Sequence, residues 1–319
     1  MIQSARVDGE RHDEIEAFFR DTFTTDNPLI TEAVKRMLAA GGKRLRPRLT
    51  LLAAQTHDSN PQRHLQLAAY MELIHVATLI HDDVVDNAQT RRGVNATAVD
   101  FGNRISVLAG DYLFAWIFKN VTELYPAPIP NILSAVLAEI CDGEVLQLRS
   151  LGDLGLSLQS YVEIVAKKTA SLFAAAAECG AIAGGAAGRE VQALRDFGLN
   201  YGIAFQMRDD LLDVTADAAT LGKPVGNDLA ERKMTIPLIL ALQTGNGDLR
   251  SMVERFYAGR EQSTGAIIEG IRRSGAVEQT RMQIAEYAGR AERSLGPLEN
   301  GAAKAELQRL AAEVTETPL

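Results

Sequence analysis

Apolar and polar residues along this chain recur at helical rather than strand spacing almost from end to end. "PLITEAVKRMLAAGG" (Pro28–Gly42) sets Leu29, Val34, Met37 and Leu38 near one face and closes on a glycine pair suited to a helix C-cap. "NPQRHLQLAAYMELIHVATLIHDDVVD" offers Asn60 as an N-cap and Pro61 at the first helical position, then over twenty residues of helix. Further helical patterns cover about 104–124, 130–148, 158–183, 189–214 and 229–242, and others fill the C-terminal third. Alternating β-branched runs joined by hairpin signals are missing. Breaks fall at "THDSNP", "YPAPIP", "AGGAAG", "TADAATLGKPVGND" and "TGNGD"; none reads as a long linker, and no solenoid-period repeat is present. The pattern predicts an all-α chain, one domain over residues 1–319 with a motif-bearing core at about 28–245 and a helical C-terminal part at 246–319.

Composition narrows the function classes. The chain has 319 residues, 46% hydrophobic and 23% charged, which is ordinary for a globular protein with a large core. A net charge of −8 argues against a general nucleic-acid binder, although a small phosphorylated ligand needs only a local cationic pocket. Two cysteines, Cys141 and Cys179, form neither a disulfide framework nor a metal knuckle, so a cytoplasmic setting is expected. The first residues lack a signal-like apolar core, and "LFAAAAECGAIAGGAAG" is too weakly apolar to span a membrane.

The candidate chemistry lies at two acidic runs. In "LIHDDVVDNAQTRRG", Asp82 and Asp86 stand four residues apart, so both carboxylates project from one helix face, with Thr78 and His75 one and two turns earlier. "FQMRDDLLDV" repeats the design with Asp209 and Asp213, and Gln206 precedes them on the same side. Aspartates are poorly placed at a helix C-terminus, where the dipole favours cations. Two such runs on apolar helices therefore point to a pair of facing acidic rims. Hard oxygen ligands of this kind suit Mg²⁺ shared with substrate phosphates. Basic residues recur nearby: Lys43, Arg44, Arg46 and Arg48 in "GGKRLRPR", then Arg91 and Arg92, then Lys167, Lys168 and Thr169 in "AKKTA", Lys223 in "LGKPVGND" and Lys233 in "ERKMTIP". Each alone reads as a solvated surface charge; together, beside acidic clusters, they suggest one polyanion site.

In order and spacing, "GGKRLRP", "HDDVVDNAQTRRG", "KKTA", "FQMRDDLLD", "GKPVGND" and "RKMTIP" resemble the trans-isoprenyl diphosphate synthases (polyprenyl synthetases). The resemblance covers roughly residues 30–240 and implies a bundle of long helices around a deep central cavity, usually a homodimer. It implies that Asp82, Asp86 and Asp209 bind Mg²⁺, with Asp83 and Asp213 assisting. Lys43, Arg46, His75 and Arg92 would then hold the diphosphate of isopentenyl diphosphate. Arg91, Lys168, Thr169, Gln206, Lys223 and Lys233 would hold an allylic (farnesyl or geranyl) diphosphate. Asp82, Asp86, Lys168, Asp209 and Lys223 are the residues expected to carry catalysis, in which the allylic diphosphate leaves, the isopentenyl double bond attacks the cation, and the released diphosphate takes the proton.

The family resemblance also bears on product length. One turn before Asp82 stand Ala77 and Thr78, both small, where bulky aromatics in the family stop the tail early. This resembles the long-chain, octaprenyl-type synthases and sets the floor deeper, among Ile74, Tyr70 and Met71 or at Trp116 and Phe118. The alternatives are a shorter product, geranylgeranyl or farnesyl diphosphate, and a non-catalytic partner subunit. A terpene cyclase is disfavoured by "DDLLD" and by the basic loop. A di-metal carboxylate bundle is disfavoured because "ELIH" is a single Glu-x-x-His unit.

Overall fold

The computed structural model describes residues 13–23, 25–58, 60–216, 225–244, 247–260 and 263–316. These residues are helical apart from loops and one two-residue strand pair. The chain divides into two compact units, residues 1–134 with 176–191, and residues 135–175 with 192–319.

The first unit begins with α1 (residues 13–22), α2 (Pro28–Ala39) and α3 (Leu45–Gln55). Asn27 caps α2, its Oδ1 accepting from the Leu29 and Ile30 amides at 3.1 and 3.4 Å. α2 buries Val34, Met37 and Leu38 as its pattern predicts, whereas Leu29 at its first turn is exposed. The centre of this unit is α4 (Leu65–Val85), where Leu67, Tyr70, Met71, Leu73, Ile74, Val76, Ala77 and Ile80 are fully buried. A helix apolar on nearly every side must be enclosed on nearly every side. α2, α3 and α5 (Thr97–Leu124) supply that enclosure. α4 starts later than expected: Pro61–His64 form a 3₁₀ turn, and the α-helix follows from Leu65. α5 is interrupted at Gly102 (φ 78°), so its continuous part matches the pattern read from Arg104.

Between α4 and α5 lies a strand pair that the sequence pattern did not predict. β1 (Thr90–Arg91) pairs antiparallel with β2 (Val94–Asn95), and Arg91 lies opposite Val94. The two-residue turn, Arg92–Gly93, has positive φ at both positions (52° and 79°), as the tightest hairpin turns require. Its X-Gly signal stands in a polar stretch without flanking apolar alternation.

In the second unit, most of α6 (Ile129–Arg149) is followed by α7 (Leu158–Val165) and the first residues of α8 (Ser171–Ala183), whose residues from Ala176 belong to the first unit. The single helix expected over 158–183 is interrupted by a π turn, Ala166–Ala170, in which the Ser171 amide donates to the Ala166 carbonyl five residues back. Lys167, Lys168 and Thr169 thus sit inside a helix, not at its end. α9 (Arg189–Thr215) follows, then α10 (Asn227–Ala230) and α11 (Ile236–Gln243). The expected helix over 229–242 is split between these two, because Arg232 adopts φ 60° and Pro237 opens α11. α12 (Gly247–Tyr257), α13 (Gly265–Arg273), α14 (Ala276–Ser294) and α15 (Ala302–Glu313) complete the unit.

Glycines set the closest helix approaches. A side chain at Gly180 or Gly184 on α8 would collide with the Thr50 or Ala54 carbonyl of α3, and one at Gly198 on α9 would collide with the Phe173 carbonyl. Gly247, at the start of α12, has open space around it. Gly180→Val should therefore destabilise the fold by about 1–3 kcal/mol through overpacking, while Gly247→Ala should not. Thermal denaturation of both variants checks this, and equal melting temperatures would contradict the close approach.

Candidate active site

α4 ends in the first acidic run. Asp86 is the C-cap residue, its amide donating to the Asp82 carbonyl at 2.8 Å, and both carboxylates stay half-exposed. Asp83 turns the other way and is 0% exposed. Its Oδ1 accepts from Arg91 Nε at 2.8 Å and Arg91 Nη2 at 2.5 Å, so an inward carboxylate on α4 holds the β1–β2 hairpin against the helix. Burial pushes the Asp83 carboxyl up, and Arg91 opposes that shift. Asp83 Oδ2 is buried without a hydrogen-bond partner.

The hairpin in turn meets the glycine loop. Arg92 Nη1 donates to the Gly41 carbonyl, and Gly42 lies so close to the guanidinium that a side chain there would meet it. Arg44, at φ 47°, points inward: Nε donates to Glu16 at 2.7 Å, Nη1 to Glu72 at 2.9 Å and Nη2 to the Leu38 carbonyl at 3.0 Å. Arg44 therefore anchors the loop and does not face a ligand. Lys43 is exposed, and Arg46 and Arg48 stand in the first turn of α3, not in the loop where the pattern set them. His75 is half-buried on α4. Burial first, then the charges of Arg46, Arg92, Arg91 and Arg44, hold its pKa well below the usual value, so the imidazole is neutral. Arg46, Arg91, Arg92 and His75 thus come together as an electropositive group.

The second acidic run lies near the end of α9 and does not repeat the first as its spacing predicts: only its first carboxylate is outward, and Asp213, four residues on, is buried. Asp209 is exposed. Asp213 is 2% exposed; its Oδ2 accepts from the Asp228 amide at 3.2 Å and its carbonyl from the Gly226 amide at 3.0 Å, which ties down the α10 turn. Asp210, to which the sequence pattern gave no role, is 5% exposed and accepts from Gln206 Nε2 at 2.8 Å and the Tyr161 hydroxyl at 2.7 Å. Burial raises its pKa to about 6 despite these donors. Gln206 Oε1 accepts from the Thr169 hydroxyl at 3.1 Å. On the π turn, Lys168 Nζ donates to Gln147 Oε1 at 2.5 Å and pairs with Glu144, both on α6. The Gly143 backbone permits this, since a side chain there would strike the Lys168 amide. Lys233 pairs with Glu231 at 2.6 Å. Lys223 lies outside the described residues.

Glu144, Gln147, Tyr161 and Asp210 were not found by pattern. Asp210 stood inside a quoted motif, whereas the other three gave no signal beyond ordinary helix positions.

Deeper along α4, Ala77, Ile74 and Tyr70 are fully buried and Thr78 is half-buried. Half-buried Trp116 on α5 packs edge-on against Tyr70 (5.8 Å between centroids) and Phe23 (5.4 Å), and Phe18 of α1 packs against Tyr70 (6.0 Å).

Among the described residues, no three His, Cys, Asp or Glu side chains gather tightly enough to hold a metal ion alone. A carboxylate pair on one helix face leaves most of an octahedral shell to water and ligand oxygens, which is how Mg²⁺ is held beside phosphates. The donor set therefore fits a metal shared with a phosphorylated ligand. Among the same residues, no helix is long and apolar enough to cross a membrane.

Comparison with known proteins is consistent with these arrangements. The octaprenyl diphosphate synthase of Escherichia coli (strain K12) is 37% identical over 282 residues, covering 87% of this chain and 86% of its own. The short chain isoprenyl diphosphate synthase of Methanothermobacter thermautotrophicus is 36% identical over 292 residues, 90% of each chain. Among solved structures, the polyprenyl synthase from Caulobacter crescentus CB15, complexed with calcium and isoprenyl diphosphate, superposes with a TM-score of 0.91 at 39% identity, covering 97% of this chain and 95% of that one. Residues 27–272 match the Polyprenyl synthetase family, and the chain, all-α and carrying both acidic runs, belongs to it.

Proposed function

We propose that this prenyltransferase is a long-chain all-trans polyprenyl diphosphate synthase, extending an allylic diphosphate such as farnesyl or geranyl diphosphate with isopentenyl diphosphate to an octaprenyl-like product. The observation that carries the reading is the division within each acidic run: outward carboxylates at Asp82, Asp86 and Asp209, inward ones bound to the loops that bear the cations.

Asp82, Asp86 and Asp209 would hold Mg²⁺, which would supply charge neutralisation to a departing diphosphate. Lys168, Thr169, Gln206, Lys223 and Lys233, with Arg91, hold the allylic diphosphate. Their cationic and N–H groups stabilise the negative charge that grows as the allylic C–O bond breaks and its electron pair leaves with the diphosphate. Lys43, Arg46, Arg92 and neutral His75 hold isopentenyl diphosphate, whose double bond supplies the pair for the new C–C bond. A proton then leaves the condensed product to restore a double bond, and the released diphosphate accepts it. Buried apolar residues of α4 and α5 exclude water from the cation.

Product length rests on the small side chains of Ala77 and Thr78 and on the Tyr70–Trp116 contact, which lies about three helical turns, roughly 18 Å, below Asp82. Identity to relatives does not decide length, because an octaprenyl synthase and a short-chain synthase match almost equally well. The family resemblance points to a homodimer, and Val107, Leu108 and Tyr112 on α5 are exposed apolar residues that a second copy would cover.

Incubation with Mg²⁺, farnesyl diphosphate and excess labelled isopentenyl diphosphate should give a ladder ending at hepta- to decaprenyl. A stop at geranylgeranyl would reject the long-chain reading, and no condensation by a folded chain would favour a partner subunit. Chelation should abolish turnover and added Mg²⁺ restore it. Asp82→Ala and Asp209→Ala should each lower kcat by about a hundredfold or more without unfolding the chain; near-normal turnover would reject the metal assignment. Trp116→Ala should lengthen the product, and an unchanged ladder would remove Trp116 from the floor.

A further inference from the structure

Asp210 occupies the middle of "DDLLD" yet is directed into the protein, and nothing in the proposed chemistry uses it. Its surroundings are specific. Gln206 Nε2 and the Tyr161 hydroxyl each take one of its oxygens, and the Ile236 amide donates to it as well. Those donors come from α9, α7 and the start of α11. Ile236 opens α11, whose N-cap residue Thr235 makes no side-chain cap, so the Asp210 carboxylate supplies that helix with an acceptor from outside. Lys233 lies three residues before Ile236.

A glutamine amide can sit in either of two orientations, and its neighbours choose between them. The Thr169 hydroxyl can donate or accept and so does not choose. A carboxylate accepts only, which forces Nε2 of Gln206 towards Asp210 and Oε1 towards Thr169. Nε2 carries two hydrogens and Asp210 engages one, leaving a second N–H donor for an anion. With the amide reversed, a carbonyl would face the carboxylate. The Tyr161 hydroxyl, 4% exposed as a residue and 2.7 Å from Oδ2, fixes the carboxylate that makes this choice.

We propose that Tyr161 and Asp210 are a positioning pair that sets the Gln206 amide to present a donor to the allylic diphosphate. The inference rests on the prenyl-transfer reading and extends it to two residues that touch no substrate. Tyr161→Phe removes one hydroxyl and keeps the ring that packs the buried helix contact.

The experiment is a double-mutant cycle on Tyr161→Phe and Gln206→Ala. Binding of farnesyl diphosphate with Mg²⁺ is measured by calorimetry, and KM is measured separately for farnesyl and isopentenyl diphosphate. Tyr161→Phe should weaken farnesyl diphosphate binding about tenfold and leave the isopentenyl diphosphate KM unchanged. In the Gln206→Ala background it should cost nothing further. Additive losses, or equal rises in both KM values, would overturn the positioning role. If Tyr161→Phe melts early, Asp210→Asn gives a second reading, since its amide keeps the shape but is no longer an acceptor on both atoms and so no longer dictates the Gln206 orientation; the same selective loss is expected, and a uniform loss overturns the proposal. A wild-type chain that neither binds farnesyl diphosphate nor condenses it would instead reject the functional reading itself.

Discussion

A carboxylate removed from water needs a donor, and much of the local architecture follows from that requirement. Asp83, Asp210, Asp213 and Glu72 are all nearly inaccessible. Each is answered by a group from a distant segment: Arg91 on the hairpin, Tyr161 on α7, the Asp228 amide on α10, and Arg44 ahead of α3. These are the segments that carry or flank the cationic side chains. Burying one acid therefore fixes the position of several bases. The outward acids of the same runs, Asp82, Asp86 and Asp209, are left at the surface of a frame their neighbours have made rigid.

The two runs look alike in sequence but are secured differently. Asp83 receives a charged guanidinium, which fixes an exposed two-stranded turn of little intrinsic stability. Asp210 receives neutral donors, a phenol, a side-chain amide and a backbone amide, and it and Asp213, which accepts from the Asp228 amide, act as external caps for short helices. Neutral donors leave more uncompensated charge in the interior, and burial accordingly lifts Asp210 to about 6.

Much was legible in the sequence and some could not have been. The helical period, the outward face of Asp82 and Asp86, and the glycine stop after α2 follow from local spacing alone. The π turn at 166–170 did not announce itself, because it differs from an α-helix by one residue and contains neither Gly nor Pro. Its partner, Gly143, is on another helix. Arg44 read as one more cation in a basic loop, yet burial against Glu72 and Phe19 makes it an anchor. Tyr161 and Asp210 are 49 residues apart, and no local pattern encodes that pairing. Spacing reveals which face a side chain takes on its own helix, whereas its partner depends on what packs there.

Among the described residues, three of the four non-glycine positions at positive φ are arginines, Arg44, Arg92 and Arg232. Such a conformation costs a long side chain of the order of 1 kcal/mol, and glycine or asparagine would relieve it. A laboratory selection for heat resistance alone would thus be drawn towards replacing Arg92 with glycine or asparagine. The hairpin would tighten, and the guanidinium that reaches the Gly41 carbonyl would be lost. Thermostability and charge placement compete at a single dihedral angle, so any hardened version of this protein has to gain its stability elsewhere.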